Sequence, residues 1–137
     1  MSNKILGLDL GEKKVGVAIS DNENIISFPR DIIKYLNFEE LIKKIREICD
    51  KETISKIIIG LPLSLKGKET EQTKKVQNQG EEISKTLGIP VDFIDERYTS
   101  VIPENLMLTE KKKHRQKPKD DIAAQKILQT YLDKYSK

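Results

Sequence analysis

The sequence contains one cysteine, no tryptophan and no long apolar segment, and these shortages exclude several classes of protein. Cys49 cannot form an internal disulfide, and no other cysteine or cluster of histidines accompanies it for a zinc site. The longest apolar run, residues 57–63, is far shorter than the roughly 18 residues that cross a bilayer. The N-terminus shows neither a long apolar stretch nor a small-residue cleavage site. We therefore expect a cytoplasmic protein that has no membrane span and no secretory signal.

The length and composition are typical of a small globular protein. The 137 residues predict a single domain over residues 1–137. Charged residues make up 34% and apolar residues 36%, but isoleucine, leucine and valine occur in short dense runs, which favours a folded chain over a disordered one. The net charge is +3, from 25 Lys and Arg against 22 Asp and Glu, and an excess spread evenly would say little about partners.

The apolar runs predict an α/β protein. Residues 5–10, 15–20 and 25–28, the last ended by Pro29, predict three antiparallel strands in a meander. Residues 57–59 and 90–95 predict two further strands, which enter through helical crossovers. The resulting prediction is a five-stranded mixed sheet flanked by helices.

The predicted helices have recognisable ends. Asn37 is a candidate N-cap for a helix through residue 51, with Cys49 on its buried stripe. A second helix ends near Leu87, where Gly88 provides the stop. A short helix begins at Thr99 or Ser100 and ends near residue 110, and the last helix begins at Asp120 or Asp121.

Three acidic positions do not fit the pattern of exposed helix faces. Asp9 lies inside an apolar strand, the pair Asp95-Glu96 ends the fifth strand, and the pair Asp120-Asp121 begins the last helix. A carboxylate in a buried strand costs several kcal/mol unless a positive group meets it. Two of the positions also have a structural explanation, because an aspartate caps helices and Glu96 can pair with Arg97, whereas the structural explanation of Asp9 is the weakest.

Together, these acids predict a metal site. Ligands gather at the carboxyl ends of strands in open α/β sheets. A cluster of carboxylates with no cysteine suits a hard divalent cation, for which Mg²⁺ fits best and Mn²⁺ could substitute. Two such ions about 4 Å apart can support phosphodiester hydrolysis without a histidine base.

The segment 111–119 has no acidic and no apolar residue, and we expect it to form an exposed loop. Cations grouped in this way favour contact with nucleic-acid phosphates over a solvated loop of mixed charge. His114 is better explained as a solvated residue among the cations than as a proton shuttle. The six cations are Lys111, Lys112, Lys113, Arg115, Lys117 and Lys119.

Over essentially its whole length, the chain resembles the YqgF family of Holliday-junction-resolvase-like proteins, pre-16S rRNA nucleases with a ribonuclease H-like fold. Four segments in order carry the resemblance: GLDLGEKKVGVAISD at 7–21, IGLPL at 59–63 with Gly67, DERYTS at 95–100, and DDIAA at 120–124 followed by residues 127–128 and 131–132. The resemblance implies that Asp9, Glu96 and Asp120 are the catalytic, metal-binding acids. Asp120 is favoured over Asp121 because the family's acid stands three residues before the Ala-Ala pair. Lys13, Lys14, Arg97 and the basic segment would then contact nucleic acid.

The resemblance leads to one main hypothesis and several alternatives. The main hypothesis is an Mg²⁺-dependent hydrolase that trims the 5′ end of pre-16S rRNA. It would act together with ribosome-associated factors, and it would be a monomer or a homodimer. A resolvase of branched, four-way DNA junctions would use the same site, and a non-cleaving assembly factor would use only its binding surface. Residues 7–11 also resemble the first phosphate loop of actin-like ATP-binding proteins, but that fold needs two such domains.

Overall fold

The computed structural model describes residues 3–64, 66–96 and 120–135, with side chains in the last segment from Ile122 onward. The elements along the chain are β1 (Lys4–Leu10), β2 (Lys14–Ser20), β3 (Ser27–Lys34), α1 (Phe38–Glu52), β4 (Ile54–Leu61), α2 (Glu71–Leu87), β5 (Val91–Asp95) and α3 (Asp120–Tyr135). The predicted short helix before residue 110 and the segment 111–119 lie outside the described residues.

The five strands form one mixed sheet in the order β3-β2-β1-β4-β5. The first three pair antiparallel as a meander. After α1 and α2, strands β4 and β5 enter parallel to β1 and to each other. The predicted α/β class and five-stranded mixed sheet are therefore confirmed.

The prediction that Pro29 ends the third strand is wrong. Strand β3 continues through Pro29 to Lys34, and it can do so because it is an edge strand, where a proline's missing N–H is tolerated. Ala18 pairs with Pro29 and Val17 with Asp31, so Arg30 is the extra residue of a bulge. Residues 25 and 26, predicted to begin this strand, instead lie exposed in the turn before it.

The sheet is covered on both faces. Helices α1 and α2 pack on one face, and α3 packs on the other. Strand β1 serves both cores, since Leu6 and Leu8 belong to the first and Ile5 to the second. Successive side chains of a strand point to opposite faces, so Gly7 and Asp9 are directed towards the α3 face.

The predicted helix ends are confirmed where they fall within the described residues. The side chain of Asn37 accepts a hydrogen bond from the backbone N–H of Glu40 at the start of α1. Gly88 ends α2 with a positive φ of 70°, a conformation that glycine adopts without strain. Cys49 is buried in the first core, as predicted. Within the described ranges, no helix is long and apolar enough to cross a membrane.

Candidate functional site

Asp9 and Glu96 lie at the same edge of the sheet. Strands β1, β4 and β5 are mutually parallel, so their carboxyl ends share one edge. Asp9 is the penultimate residue of β1, and Glu96 directly follows β5. Both residues are partly buried. The predicted gathering of strand-end acids is therefore present in the backbone arrangement.

Gly60 lies in β4, the strand between the two whose ends carry these acids. Strand β4 lies between β1 and β5, with Leu8 paired to Ile59 and Gly60 paired to Ile94. A Cβ added at Gly60 would lie 2.8 Å from Oε1 of Glu96. The glycine therefore leaves the space in which the Glu96 carboxylate rests against the sheet.

Helix α3 approaches the sheet closely over two glycines. A Cβ at Gly7 would lie 2.8 Å from Cβ of Leu128, and one at Gly60 would lie 2.4 Å from Cδ1 of Ile127. A side chain at Gly7 would meet Cβ of Leu128, which cannot move without the helix, whereas one at Gly60 would first displace the flexible end of Ile127. Gly7 thus sets how closely α3 approaches β1, and Gly60 leaves room for the end of Ile127.

The direction of α3 brings its first turn to the same edge. Tyr131, late in the helix, accepts a hydrogen bond from Nζ of Lys56 near the start of β4, whereas Ile127 reaches Gly60 near that strand's end. The helix therefore runs antiparallel to β1 and begins, at Asp120, on the side where β1 ends. Leu128 lies over Gly7, and Ala124 precedes it by four residues in α3. Four helical residues rise about 6 Å, similar to the two strand residues from Gly7 to Asp9, so Ala124 lies at about the level of Asp9.

A cavity of about 360 Å³ opens beside Asp9 at the β1–β2 connection. It is lined by Asp9, Gly11, Glu12, Lys13 and Lys14, and both lysines are exposed. Two of the predicted nucleic-acid contacts are thus next to one predicted catalytic acid. The lysines offer cationic contacts to an anionic ligand at this edge of the sheet, beside the carboxylates of Asp9 and Glu12.

Tyr35 supports this connection and was not predicted from the sequence. Its hydroxyl donates to the carbonyl oxygen of Gly11 at 2.5 Å. Its backbone N–H donates to the carbonyl oxygen of Lys13 at 3.1 Å. Burial, and to a lesser degree the charge of Glu12, raises the pKa of the Tyr35 phenol above its usual value. Only the register of β2 and β3 brings these residues together, and local sequence patterns do not reveal it.

Thr73 is a second residue that was not predicted, and it fixes the segment after β4. The residue is buried in the first turn of α2, and its hydroxyl donates to the carbonyl oxygen of Pro62. It also forms a reciprocal capping box with Thr70. The chain leaving Gly60 is therefore anchored to the start of α2.

The remaining predicted site residues lie outside the described part of the chain. These are Arg97, the six cations of segment 111–119, His114, and the side chains of Asp120 and Asp121. Among the side chains that are described, no three of the His, Cys, Asp or Glu type form a group that could hold a metal ion. A three-carboxylate centre thus requires an acid whose side chain lies outside the described ones, as that of Asp120 does.

Comparisons with known proteins bear on the family and the fold. A family model described as "RuvX: Holliday junction resolvase" matches residues 3–134. A protein of Sulfurihydrogenibium sp. named "Putative pre-16S rRNA nuclease" is 42% identical over 136 residues, which cover 98% of this chain and 92% of that protein. The resemblance inferred from the four sequence segments is confirmed by these matches.

Two solved structures share the fold. The RuvC of T. thermophilus, in complex with a Holliday junction, aligns with a TM-score of 0.66 at 12% identity, covering 93% of this chain and 91% of that chain. The Fowlpox virus resolvase, in complex with Holliday junction DNA, aligns with a TM-score of 0.58 at 14% identity, covering 98% and 99%. The predicted ribonuclease H-like fold is thereby confirmed.

Proposed function

The chain belongs to the RuvX family of Holliday junction resolvases, and from that premise we propose that it is a divalent-metal-dependent nuclease that processes the 5′ end of pre-16S rRNA. The observation that carries the proposal is the convergence of Asp9, Glu96 and the start of α3 at one edge of the sheet, beside Lys13 and Lys14. We expect this reaction to take place in the cytoplasm.

The proposed catalytic acids are Asp9, Glu96 and Asp120. Their carboxylate oxygens are hard donors of the kind that Mg²⁺ prefers, and Mn²⁺ would substitute. The absence of a side chain at Gly60 leaves room for the Glu96 carboxylate beside the sheet, with Oε1 2.8 Å from where a Cβ would lie. When bound, such ions would lower the pKa of the attacking water and stabilise the leaving oxygen.

The cationic residues would hold the substrate. Lys13 and Lys14, which line the cavity at Asp9, would contact the phosphates next to the bond that is cut. Arg97 and the six cations of segment 111–119 would contact the backbone further along. Tyr35 would act as a positioning residue, because it holds both ends of the short connection that carries Lys13.

The test is cleavage of a structured pre-16S rRNA fragment with and without Mg²⁺. We expect Asp9→Asn to lose at least about a hundredfold in rate, since transition-state stabilisation by bound metal is worth several kcal/mol. Asp50→Asn is the matched control, because Asp50 is an exposed aspartate on α1, which packs on the opposite face of the sheet. Equal rates for the wild type and Asp9→Asn, with both proteins folded, would refute the catalytic assignment.

A four-way DNA junction is the second candidate substrate, because the matching family model is described as a Holliday junction resolvase. Incubating the RNA and the junction side by side distinguishes the two. Cutting of the junction alone, by a protein that forms a dimer on it, would favour the resolvase function. Salt-sensitive binding of RNA without cleavage in either metal would instead indicate a non-cleaving assembly factor.

A further inference from the structure

A second cavity adjoins the one at Asp9. Its volume is about 430 Å³, its walls are mostly apolar, and it lies between the end of β3 and the start of α1. We name it the β3–α1 groove. Its lining residues are Lys13, Lys14, Lys34, Tyr35, Leu36 and Glu40, so it shares two lysines with the cavity at the candidate site.

Two cations of this groove face each other across the β2–β3 strand pair. Lys14 and Lys34 are directly opposite each other in the β2–β3 register, and both are exposed. Like charges in that position weaken strand pairing. The groove's acid, Glu40, lies 3.6 Å from Nζ of Lys44, so its charge is partly balanced. The two exposed lysines offer neighbouring cationic contacts for phosphate groups.

Leu36 gives the groove an exposed apolar surface. Its side chain is 93% exposed, although it precedes the N-cap Asn37, a position whose apolar side chain often packs onto the helix. Its backbone N–H donates to Oε1 of Glu40 at 2.7 Å, so the segment is fixed while the side chain faces solvent. A single exposed leucine is ordinary. This one, however, lies in the wall of a cavity with three lysines.

We propose that the β3–α1 groove binds a single-stranded stretch of the nucleic-acid substrate beside the bond that is cut. Lys34 contacts a phosphate, and Leu36 and the ring of Tyr35 contact the sugar and the base. A single strand fits better than a duplex, because its unstacked bases are available for apolar contact. The site rests on the proposed function, since Lys13 and Lys14 connect it to Asp9.

The test measures the binding of labelled single-stranded RNA and DNA oligonucleotides over a range of salt concentrations, in a chelator that prevents cleavage. Lys34→Gln should lower the slope of log Kd against log salt by about 0.7, the value for one phosphate contact on a single strand. Leu36→Ser should weaken binding roughly five- to tenfold without changing the slope. Lys34→Gln should also leave the melting temperature unchanged or higher, whereas loss of a structural lysine would lower it.

Lys134→Gln and Ile25→Ser are the matched controls, because both residues are exposed and lie at the opposite edge of the sheet. They should bind like the wild type. Unchanged affinity and slope in Lys34→Gln and Leu36→Ser would refute the proposal that the β3–α1 groove binds nucleic acid. In that case, continued RNA cleavage by the wild type would still support the proposed function. Failure of the wild type to bind any nucleic acid would overturn both.

Discussion

Cys49 provides the clearest link between one residue's surroundings and a measurable property. Burial, with the carboxylate of Asp50 as a smaller cause, raises the pKa of the Cys49 thiol from 9.0 to about 11. The thiolate is the reactive form of cysteine, so this thiol is inert at neutral pH. Its role is to fill the core between α1 and the sheet.

This raised pKa predicts an alkaline loss of stability. The native state keeps the proton up to about pH 11, whereas the unfolded chain releases it above pH 9, so the native state binds more protons between these values. The free energy of unfolding is then nearly unaffected below pH 9 and falls by about 2 kcal/mol as the pH rises to 11. Urea unfolding at pH 8 and pH 11 measures this loss.

Cys49→Ala is the comparison that isolates the thiol. The lost packing lowers the free energy of unfolding of Cys49→Ala by the same amount at both pH values. The effect of the thiol is therefore the part of the difference between the two proteins that changes with pH. Every other titrating group is present in both proteins. An equal loss of stability in the wild type and in Cys49→Ala would contradict the raised pKa.

At the scale of elements, the strands and helices could be predicted where apolar runs are short and well bounded. Strand β3 could not, because the tolerance of Pro29 depends on the strand's lying at the sheet edge, which is a property of the whole sheet. Asp9 and Glu96 were found as candidates because each interrupts or ends an apolar strand. Tyr35 and Thr73 act through contacts across elements, and no local pattern in the sequence marks such contacts.

The two glycines beneath α3 show how packing and the candidate site are connected. At Gly60 an added Cβ would meet two atoms closer than 3.0 Å, Cδ1 of Ile127 at 2.4 Å and Oε1 of Glu96 at 2.8 Å. Both atoms end flexible side chains that can shift, so Gly60→Ala should destabilise the protein by only about 1 kcal/mol through overpacking. It should also displace the Glu96 carboxylate and reduce nuclease activity. Thermal unfolding and the RNA cleavage assay measure the two effects separately.

A second substitution separates the helix from the carboxylate. Ile127→Val removes the Cδ1 atom, so the double variant with Gly60→Ala should recover part of the stability while activity stays low. Gly80→Ala is the matched control, because its Cβ would meet Cζ of Phe93 at 2.5 Å on the α2 face of the sheet. Recovery of both stability and activity in the double variant would mean that Gly60 serves helix packing alone.

At the scale of the whole molecule, the net charge of +3 is unevenly distributed. Segment 111–119 contains six of the 25 cations and no acid, so the rest of the chain has 19 cations against 22 acids and a net charge of −3. A net charge of −3 outside this segment does not by itself attract nucleic acid. Binding therefore depends on a few cationic places, which we propose to be this segment and the lysines beside Asp9.

This charge distribution predicts how salt weakens binding. Changing all six cations of segment 111–119 to glutamine should lower the slope of log Kd against log salt by up to about 0.9 for each duplex phosphate that the segment no longer neutralises. Combining the change with Lys34→Gln should lower the slope further, because the segment and the β3–α1 groove would hold different phosphates. Changing six exposed cations elsewhere, Lys43, Arg46, Lys51, Lys74, Lys85 and Lys134, is the control of equal charge. If the slope fell equally in both sextuple variants, net charge alone would govern binding and segment 111–119 would have no special role.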